Sequence, residues 1–275
     1  MRLLVAVPTS ILSVEQSLLF RTLKIFQITR FSSIFGVEEL ILYRDPYTAQ
    51  EEHLEYKTLF EKIWKYLTTP PYLRKKLVPI DPDLKHVGVL PPLRLGVFEV
   101  SRDGFIGEKR IGVSSGKNLV DIGLDIKFLV VNPSACKSYR GFYYVEIESI
   151  TPPRVRCLNE KPYIGPELVF KDNLIGAINY VRRLDCIVIA TSRYGRIPSS
   201  ESFHTLLSKP CIAILFGAPR YGLYDIARSE GYELENVVDY VWNTIPEQRV
   251  VTVRTEEALL ATLAIINLYL RSGNS

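Results

Sequence analysis

Three segments in the last third of the chain join an apolar run to a loop whose residues suit a small ligand. They are Ile187-Val-Ile-Ala-Thr191-Ser192-Arg193-Tyr194-Gly195, Ile214-Leu-Phe216-Gly217-Ala218-Pro219-Arg220-Tyr221-Gly222-Leu223, and Trp242-Asn243-Thr244-Ile245-Pro246-Glu247-Gln248. Ligands of α/β proteins bind at the carboxyl ends of strands, where such junctions fall. Glycine lets a backbone approach a ligand closely, and Phe216, Ile245 and Pro246 offer apolar walls to a flat heterocycle. Ordinary tight turns use the same residues, so composition alone leaves the two readings level.

Spacing excludes several other chemistries. Gly112-Val-Ser-Ser-Gly116-Lys117-Asn118 is one residue short of a phosphate-binding P-loop and ends in Asn where Ser or Thr is required. No G-x-G-x-x-G follows a predicted strand, so the dinucleotide fingerprint is absent. His53, His86 and His204 are isolated, without the pairing that holds a metal, and no metal is expected. Cys136, Cys157, Cys186 and Cys211 lie more than a dozen residues apart with no C-x-x-C, and they read as reduced, mostly buried thiols.

The elements that would position these loops follow from hydrophobic periodicity. Leu3 to Val7 reads as a strand covered on both faces, Ser13 to Phe35 as a helix, Glu39 to Tyr43 as a strand and Gln50 to Leu67 as an amphipathic helix. Thr68 to Leu95 is rich in proline, which disfavours helix and marks a structured connection. From Gly96 to about Glu160 the texture becomes β-rich, with strands expected at Val97 to Val100, Arg110 to Val113, Ile126 to Val131 and Tyr143 to Ile150. The size and strand count suit a small antiparallel OB-like barrel. Asp185 to Ala190, Cys211 to Phe216 and Arg249 to Val253 then read as buried strands, and Glu256 to Leu270 as a helix apolar almost all round. The organisation expected is a discontinuous α/β domain, residues 1–95 and 161–275, interrupted by an inserted β-barrel, residues 96–160.

Composition sets the outer limits. The 275 residues are 47% hydrophobic with a formal charge of +4, which excludes a disordered tail or a histone-like polycation and makes any nucleic-acid surface local. Tyr72 to Leu95 holds five basic residues against two acidic, Arg182 to Arg196 four against one, and the expected barrel nine against eight. Basic loops beside a pocket suit a phosphate backbone. No run of 18 apolar residues is present, Ala258 to Leu270 being interrupted by Thr262 and Asn267, so no membrane span is expected and the cytoplasm is the default compartment.

Taken in order, the motifs resemble the SPOUT superfamily of trefoil-knotted RNA methyltransferases, in its archaeal and eukaryotic branch with an OB-like insertion. The resemblance rests on Val5-Ala-Val-Pro-Thr-Ser-Ile-Leu12, Tyr72-Leu-Arg-Lys-Lys-Leu77, Asp81-Pro-Asp-Leu84, Gly88-Val-Leu-Pro-Pro-Leu93, Thr191-Ser192, Phe216-Gly217, Asn243-Thr-Ile-Pro246 and Arg254-Thr-Glu-Glu-Ala258. It implies a knot from about Asp185 onward, S-adenosylmethionine as cofactor, a homodimer, and methylation at N3 of a uridine in large-subunit ribosomal RNA. A non-catalytic RNA-binding or assembly factor, or a methyltransferase of another RNA such as tRNA, is the competing expectation. The positions implied for the cofactor are Thr191, Phe216, Gly217, Ala218, Asn243, Thr244, Ile245, Pro246 and Thr255. Arg193 and Arg220 are the donors expected near the reacting base, and Arg74, Lys75, Lys76 and Arg196 those expected near RNA phosphates. The family's acidic residue and arginine after Thr-Ser is replaced here by Arg193-Tyr194.

Overall fold

The computed structural model describes residues 1–272. In chain order its main elements are β1 (Arg2–Pro8), α1 (Leu18–Ile34), β2 (Glu39–Tyr43), α2 (Gln50–Leu67), α3 (Pro71–Leu77), β3 (Lys109–Ser114), β4 (Leu119–Asp121) and β5 (Phe128–Val130). There follow β6 (Tyr143–Ser149), β7 (Arg154–Cys157), β8 (Glu167–Lys171), α4 (Leu174–Arg183), β9 (Cys186–Arg196), α5 (Ser200–Leu207) and β10 (Cys211–Leu215). The chain ends with α6 (Leu223–Ser229), α7 (Leu234–Val237), β11 (Tyr240–Trp242) and α8 (Thr255–Ser272). The chain divides into two compact units, one of Met1–Trp64, Asp83–Leu90 and the chain from Gly165 onward, the other of Lys65–Pro82 and Pro91–Ile164.

The first unit is built on a six-stranded sheet in the order β11-β9-β10-β1-β2-β8, every neighbouring pair parallel. Parallel strands must be covered on both faces, which is why Leu-Leu-Val-Ala-Val, Glu-Leu-Ile-Leu-Tyr and Cys-Ile-Ala-Ile-Leu are near-continuous apolar runs. Leu4, Ala6, Ile41, Tyr43, Val188 and Ala213 pack on one side against α4, α6 and α7. The alternate residues Val5, Val7, Leu40, Leu42, Ile189 and Ile214 are equally buried and face the other way. Although β10 follows β9 in sequence, it lies between β9 and β1, which brings the carboxyl ends of β9, β10 and β11 together.

The second unit is a closed five-stranded barrel in the order β3-β4-β5-β7-β6, in which only β5 and β7 pair parallel. Its interior is Val120, Ile122, Phe128, Val130, Val145, Ile147, Val155 and Cys157. Helix α3 belongs to this unit and is keyed to it by Tyr72, whose hydroxyl donates to Ile111 O (3.1 Å) and accepts from Ile111 N (3.0 Å). The ring lies so close to Gly123, at φ +80°, that a Cβ there would fall 2.3 Å from Tyr72 Cδ2. Lys76 Nζ meets Asp121 Oδ2 at 2.6 Å, Lys127 joins the same oxygen, and Gly123 N donates to Asp121 Oδ1.

Several expectations are corrected by these pairings. The proline-rich connection holds a helix after all, because Pro71 occupies the first turn of α3, where its missing N–H costs nothing. Val97 to Val100 is no strand: Gly96–Phe98 forms a 3-10 turn. Nor is Arg249 to Val253, where Val250 and Val251 are exposed; the last strand is Tyr240–Trp242, paired to β9. The barrel is not wholly antiparallel. The cysteines are not free thiols, since Cys136 bonds Cys157 and Cys186 bonds Cys211. The reason is register: Cys186 and Cys211 are direct partners on β9 and β10, a proximity that linear spacing does not encode. No described helix is long and apolar enough to cross a membrane, and among the described residues no group of His, Cys, Asp and Glu is arranged to hold a metal.

Burial alone would raise the Asp121 carboxyl, but the hydrogen bonds from Lys127, Lys76 and Gly123 N outweigh it and hold it below the ordinary carboxylate value. A depressed folded-state value stabilises above the unfolded value near 4, and that contribution is lost as pH falls through the folded value. Asp121→Asn should therefore flatten the acid limb of the stability profile, read as thermal midpoint against pH below about 4.

Candidate active site at the strand ends

The geometry of the site begins with an irregularity in β9. Tyr240 and Val241 of β11 pair with Ile189 and Ala190, but the next residue, Trp242, pairs with Arg196. The intervening residues Thr191 to Gly195 therefore leave the register and stand out from the sheet edge between two paired stretches. The return is tight: a Cβ on Gly195 would lie 2.7 Å from Val241 O and from the carbonyl carbon of Trp242, so only glycine lets the backbones pass. Thr191 Oγ1 donates to Leu215 O at the end of β10 (2.9 Å).

The second loop leaves β10 at Phe216. Its N–H donates to Ala6 O (2.9 Å), and its carbonyl accepts from the buried Tyr43 hydroxyl (2.6 Å). Burial pushes the Tyr43 phenol well above its ordinary value, which keeps it a donor. Phe216 is 2% exposed, so its ring belongs to the core rather than to a ligand wall, and only its backbone reaches the loop. Gly217 is needed for a local reason: a Cβ would come within 3.0 Å of Leu223 N and 3.2 Å of Gly222, the loop's own far side. The loop closes through Ala218 N to Tyr221 O (2.9 Å) and Gly222 N to Asp225 Oδ2 (3.0 Å), and Tyr221 stacks on Tyr47 with ring centroids 3.7 Å apart.

The third loop ties the first to the last helix. Asn243 Nδ2 donates to Arg193 O (3.0 Å), Asn243 Oδ1 accepts from Ile245 N (3.1 Å), and Asn243 N donates to Arg196 O (2.8 Å). Thr244 Oγ1 and Thr262 Oγ1 of α8 share a buried hydrogen bond of 2.7 Å, and Thr255 Oγ1 lies 3.5 Å from Gly217 O. Separate hydrogen bonds thus tie Thr191 to the end of β10, Asn243 to the first loop, Thr244 to α8 and Thr255 to Gly217, with Ile245 half-buried and Pro246 exposed in the third loop. Ala218 is half-buried in the second loop.

The cations fare unequally. Arg193 donates to the Tyr194 hydroxyl (2.6 Å), and its other terminal nitrogen is 3.5 Å from Val251 O. Arg220 and Arg196 are exposed, and Arg220 makes no side-chain hydrogen bond or ion pair among the described residues. Arg74, Lys75 and Lys76 lie on α3 in the barrel unit. There Arg74 stacks on Tyr66 and donates to Thr69 O, Lys76 is held by Asp121, and Lys75 is exposed.

A buried charge cluster beneath Thr255 escaped the sequence reading. Lys24 Nζ lies 2.7 Å from Glu15 Oε1 and 3.4 Å from Glu256 Oε2, all three side chains being buried, and Arg254 completes the group at 3.6 and 3.9 Å. Glu256 is therefore spent on Lys24, and it is Glu257 that accepts from the Arg254 N–H at the start of α8 (2.9 Å). The available signal was Lys24 itself, a lone charge inside the apolar stripe of α1. His53, also buried, bonds Thr9 Oγ1 through Nδ1 at 2.8 Å, and burial with the nearby Arg44 and Lys57 holds it below the usual imidazole value.

Comparison with known proteins gives this constellation its context. The family described as "Putative RNA methyltransferase" matches residues 2–266. An uncharacterized protein of Haloarcula marismortui is 30% identical, with 96% of this chain and 98% of the relative covered. The 28S rRNA (uridine-N(3))-methyltransferase of Homo sapiens is 36% identical, with 95% of this chain and 77% of the relative covered.

Because the passage at Gly195 is closed to any side chain, Gly195→Ala should cost about 1–3 kcal/mol of stability through forced backbone movement. Thermal unfolding against the wild type measures it, with Gly88→Ala, where a Cβ meets nothing within 4 Å, as the control for losing a glycine without crowding.

Proposed function

Since the chain belongs to the RNA methyltransferase family matched over residues 2–266, as its SPOUT-like motifs imply, we propose that it transfers a methyl group from S-adenosylmethionine to N3 of a uridine in large-subunit ribosomal RNA. The observation carrying this reading is the mutual pinning of the three strand-end loops by Thr191, Asn243 and Thr255. The naming of the human relative as a 28S rRNA uridine-N3 methyltransferase supports the base and the RNA. The position of β10 between β9 and β1 is compatible with a trefoil thread from about Asp185 onward, and the barrel order with its single parallel pair supports an OB-like insertion.

The residues present fit the cofactor. Thr191, Gly217, Ala218, Asn243, Thr244 and Thr255 hold three backbone edges in fixed relation, the kind of donor and acceptor set that grips an adenosine and an amino-acid head. Ile245 and Pro246 supply apolar surface not consumed by the core, and Phe216 contributes its backbone alone. Bound there, S-adenosylmethionine supplies an electrophilic methyl on a sulfonium. The rest of the chemistry is the chain's own. The uracil imide is a weak acid and a poor nucleophile while protonated, so the base must be held out of pairing and its carbonyl oxygens stabilised as the proton leaves. Arg220, free and exposed beside the second loop, and Arg193, whose carbonyl is fixed by Asn243, are the donors we assign to that charge. For RNA phosphates we retain Lys75 and Arg196, Arg74 and Lys76 being engaged within the barrel unit.

We further propose a homodimer. Phe20 and Ile34 on α1 and Leu260 and Leu268 on α8 are exposed apolar residues on two helices that pack together, a face suited to a second copy.

Calorimetric titration should show S-adenosylmethionine binding, and its absence at millimolar ligand would refute the enzyme in favour of a non-catalytic RNA-binding factor. Arg193→Ala combined with Arg220→Ala should lower single-turnover methylation roughly 100-fold or more while RNA affinity falls far less. Sedimentation should give twice the 31.4 kDa of one chain; a monomer that still methylates would exclude the dimer.

A further inference from the structure

The barrel unit carries an aromatic strap, residues 132–144, of which Tyr143 packs against the barrel interior while Tyr139, Phe142 and Tyr144 are half-buried. Lys137-Ser-Tyr139-Arg140-Gly141-Phe142-Tyr143-Tyr144 places four aromatic rings and two cations in eight residues. Tyr139 and Phe142 exchange both backbone hydrogen bonds (2.8 and 2.9 Å), and Arg140 and Gly141 between them have φ of +53° and +82°. That is a two-residue hairpin turn with a basic residue at its tip.

The strap is held rigidly at its base. Cys136 is bonded to Cys157 on β7, and the Asn132 side chain accepts from Cys157 N (2.8 Å) and donates to Cys157 O (3.1 Å). Arg140 Nη2 donates to Thr68 Oγ1 at 2.8 Å. Groups already ordered lose little freedom when a ligand binds.

Cations attend the rings. Lys161 Nζ is 4.1 Å from the Tyr139 ring centroid and the Arg140 guanidinium carbon 5.8 Å. Tyr144 faces outward from β6, its neighbours Val145 and Ile147 facing in, and Lys109 Nζ lies 6.0 Å above its ring. Lys109 also reaches Glu160 at 3.4 Å, the residue before Lys161, which links the two ring sites through the chain. Elsewhere on the barrel several charges are paired, Asp121 with Lys76 and Lys127, Glu108 with Arg110, and Glu146 and Glu148 with Arg156. The cations at the strap are Lys137 and Arg140 within it and Lys109 and Lys161 against its rings, with Glu160 paired to Lys109.

We propose that this strap, with Lys109 and Lys161 beside it, is the surface on which the protein stacks and grips single-stranded RNA, an inference that rests on the RNA-methyltransferase reading. Every nucleobase offers a π face to an aromatic ring, and the backbone phosphates need the cations. An acidic polypeptide would satisfy the cations and leave the rings unused. The exposed aliphatic pair Leu119 and Leu129 on the barrel offers neither ring nor charge.

The test measures binding of the full chain to a mixed-sequence single-stranded RNA and to the matching abasic oligonucleotide by fluorescence anisotropy. Tyr139→Ala should weaken the RNA complex about ten-fold and leave the abasic one unchanged, because stacking is what it removes. Tyr139→Phe keeps the ring and should bind as the wild type does, which separates loss of stacking from loss of fold. Lys109→Ala with Lys161→Ala should reduce the slope of log affinity against log salt by about 1.4, two contacts at about 0.7 each. Equal losses on both oligonucleotides after Tyr139→Ala, unchanged affinity in all variants, or displacement of RNA by polyglutamate as effective as by a second RNA would each overturn the strap. A wild-type chain that binds no RNA would overturn the RNA reading together with it, whereas wild-type binding with unaffected variants overturns the strap alone.

Discussion

The site depends on one close passage of backbone against backbone. Where Gly195 slips past Val241 and Trp242, β9 resumes its pairing after five residues out of register, and the loop so formed carries Arg193. A strand with continuous pairing would keep these residues in the sheet edge. The crowding fixes where the loop starts and stops, and Asn243, anchored by the same pairing through Arg196 O, can then reach Arg193 O. The other contacts of the constellation follow from this fixed frame.

The floor beneath the loops is polar. Burying ions costs several kcal/mol each unless they are paired, and removing one partner of such a group is more damaging than the pair is stabilising. Lys24, Glu15 and Glu256 therefore serve chiefly to specify geometry, because α1 and the start of α8 must meet in a way that keeps the buried ammonium beside both carboxylates. Thr255, next to Glu256, is thereby kept near Gly217 O, and Thr262 one helical stretch further holds Thr244. The last helix thus positions two of the three loops.

The barrel unit is organised on a different principle. Its small apolar interior is supplemented by pairings that knit its surface: Tyr72 on Ile111, Asp121 between two lysines, and the Cys136–Cys157 bond. These pairings engage part of the nine basic and eight acidic residues between Gly96 and Glu160, so a near-neutral composition does not fix where charge meets solvent. Net composition hides what pairing reveals.

Local pattern was enough for the α/β opening, for the β-rich insertion and for the loops after β9 and β10, because apolar runs covered on both faces and glycine-bearing junctions leave a direct mark on the chain. Short elements escaped it: β4 and β7 carry only three and four residues, and Val250 and Val251 imitate a strand where the chain is exposed. Phe216 reads as a ligand wall by type and its ring is buried, while Arg74 and Lys76, which read as RNA contacts, also meet Tyr66 and Asp121. By itself, then, the sequence determined the α/β and β-rich stretches of the chain and, through its motifs, the RNA methyltransferase family to which it belongs. Register, disulfide pairing, the burial of Lys24 between two carboxylates and the freedom of Arg220 were decided only by tertiary structure, because each depends on residues distant in the chain that no local periodicity relates.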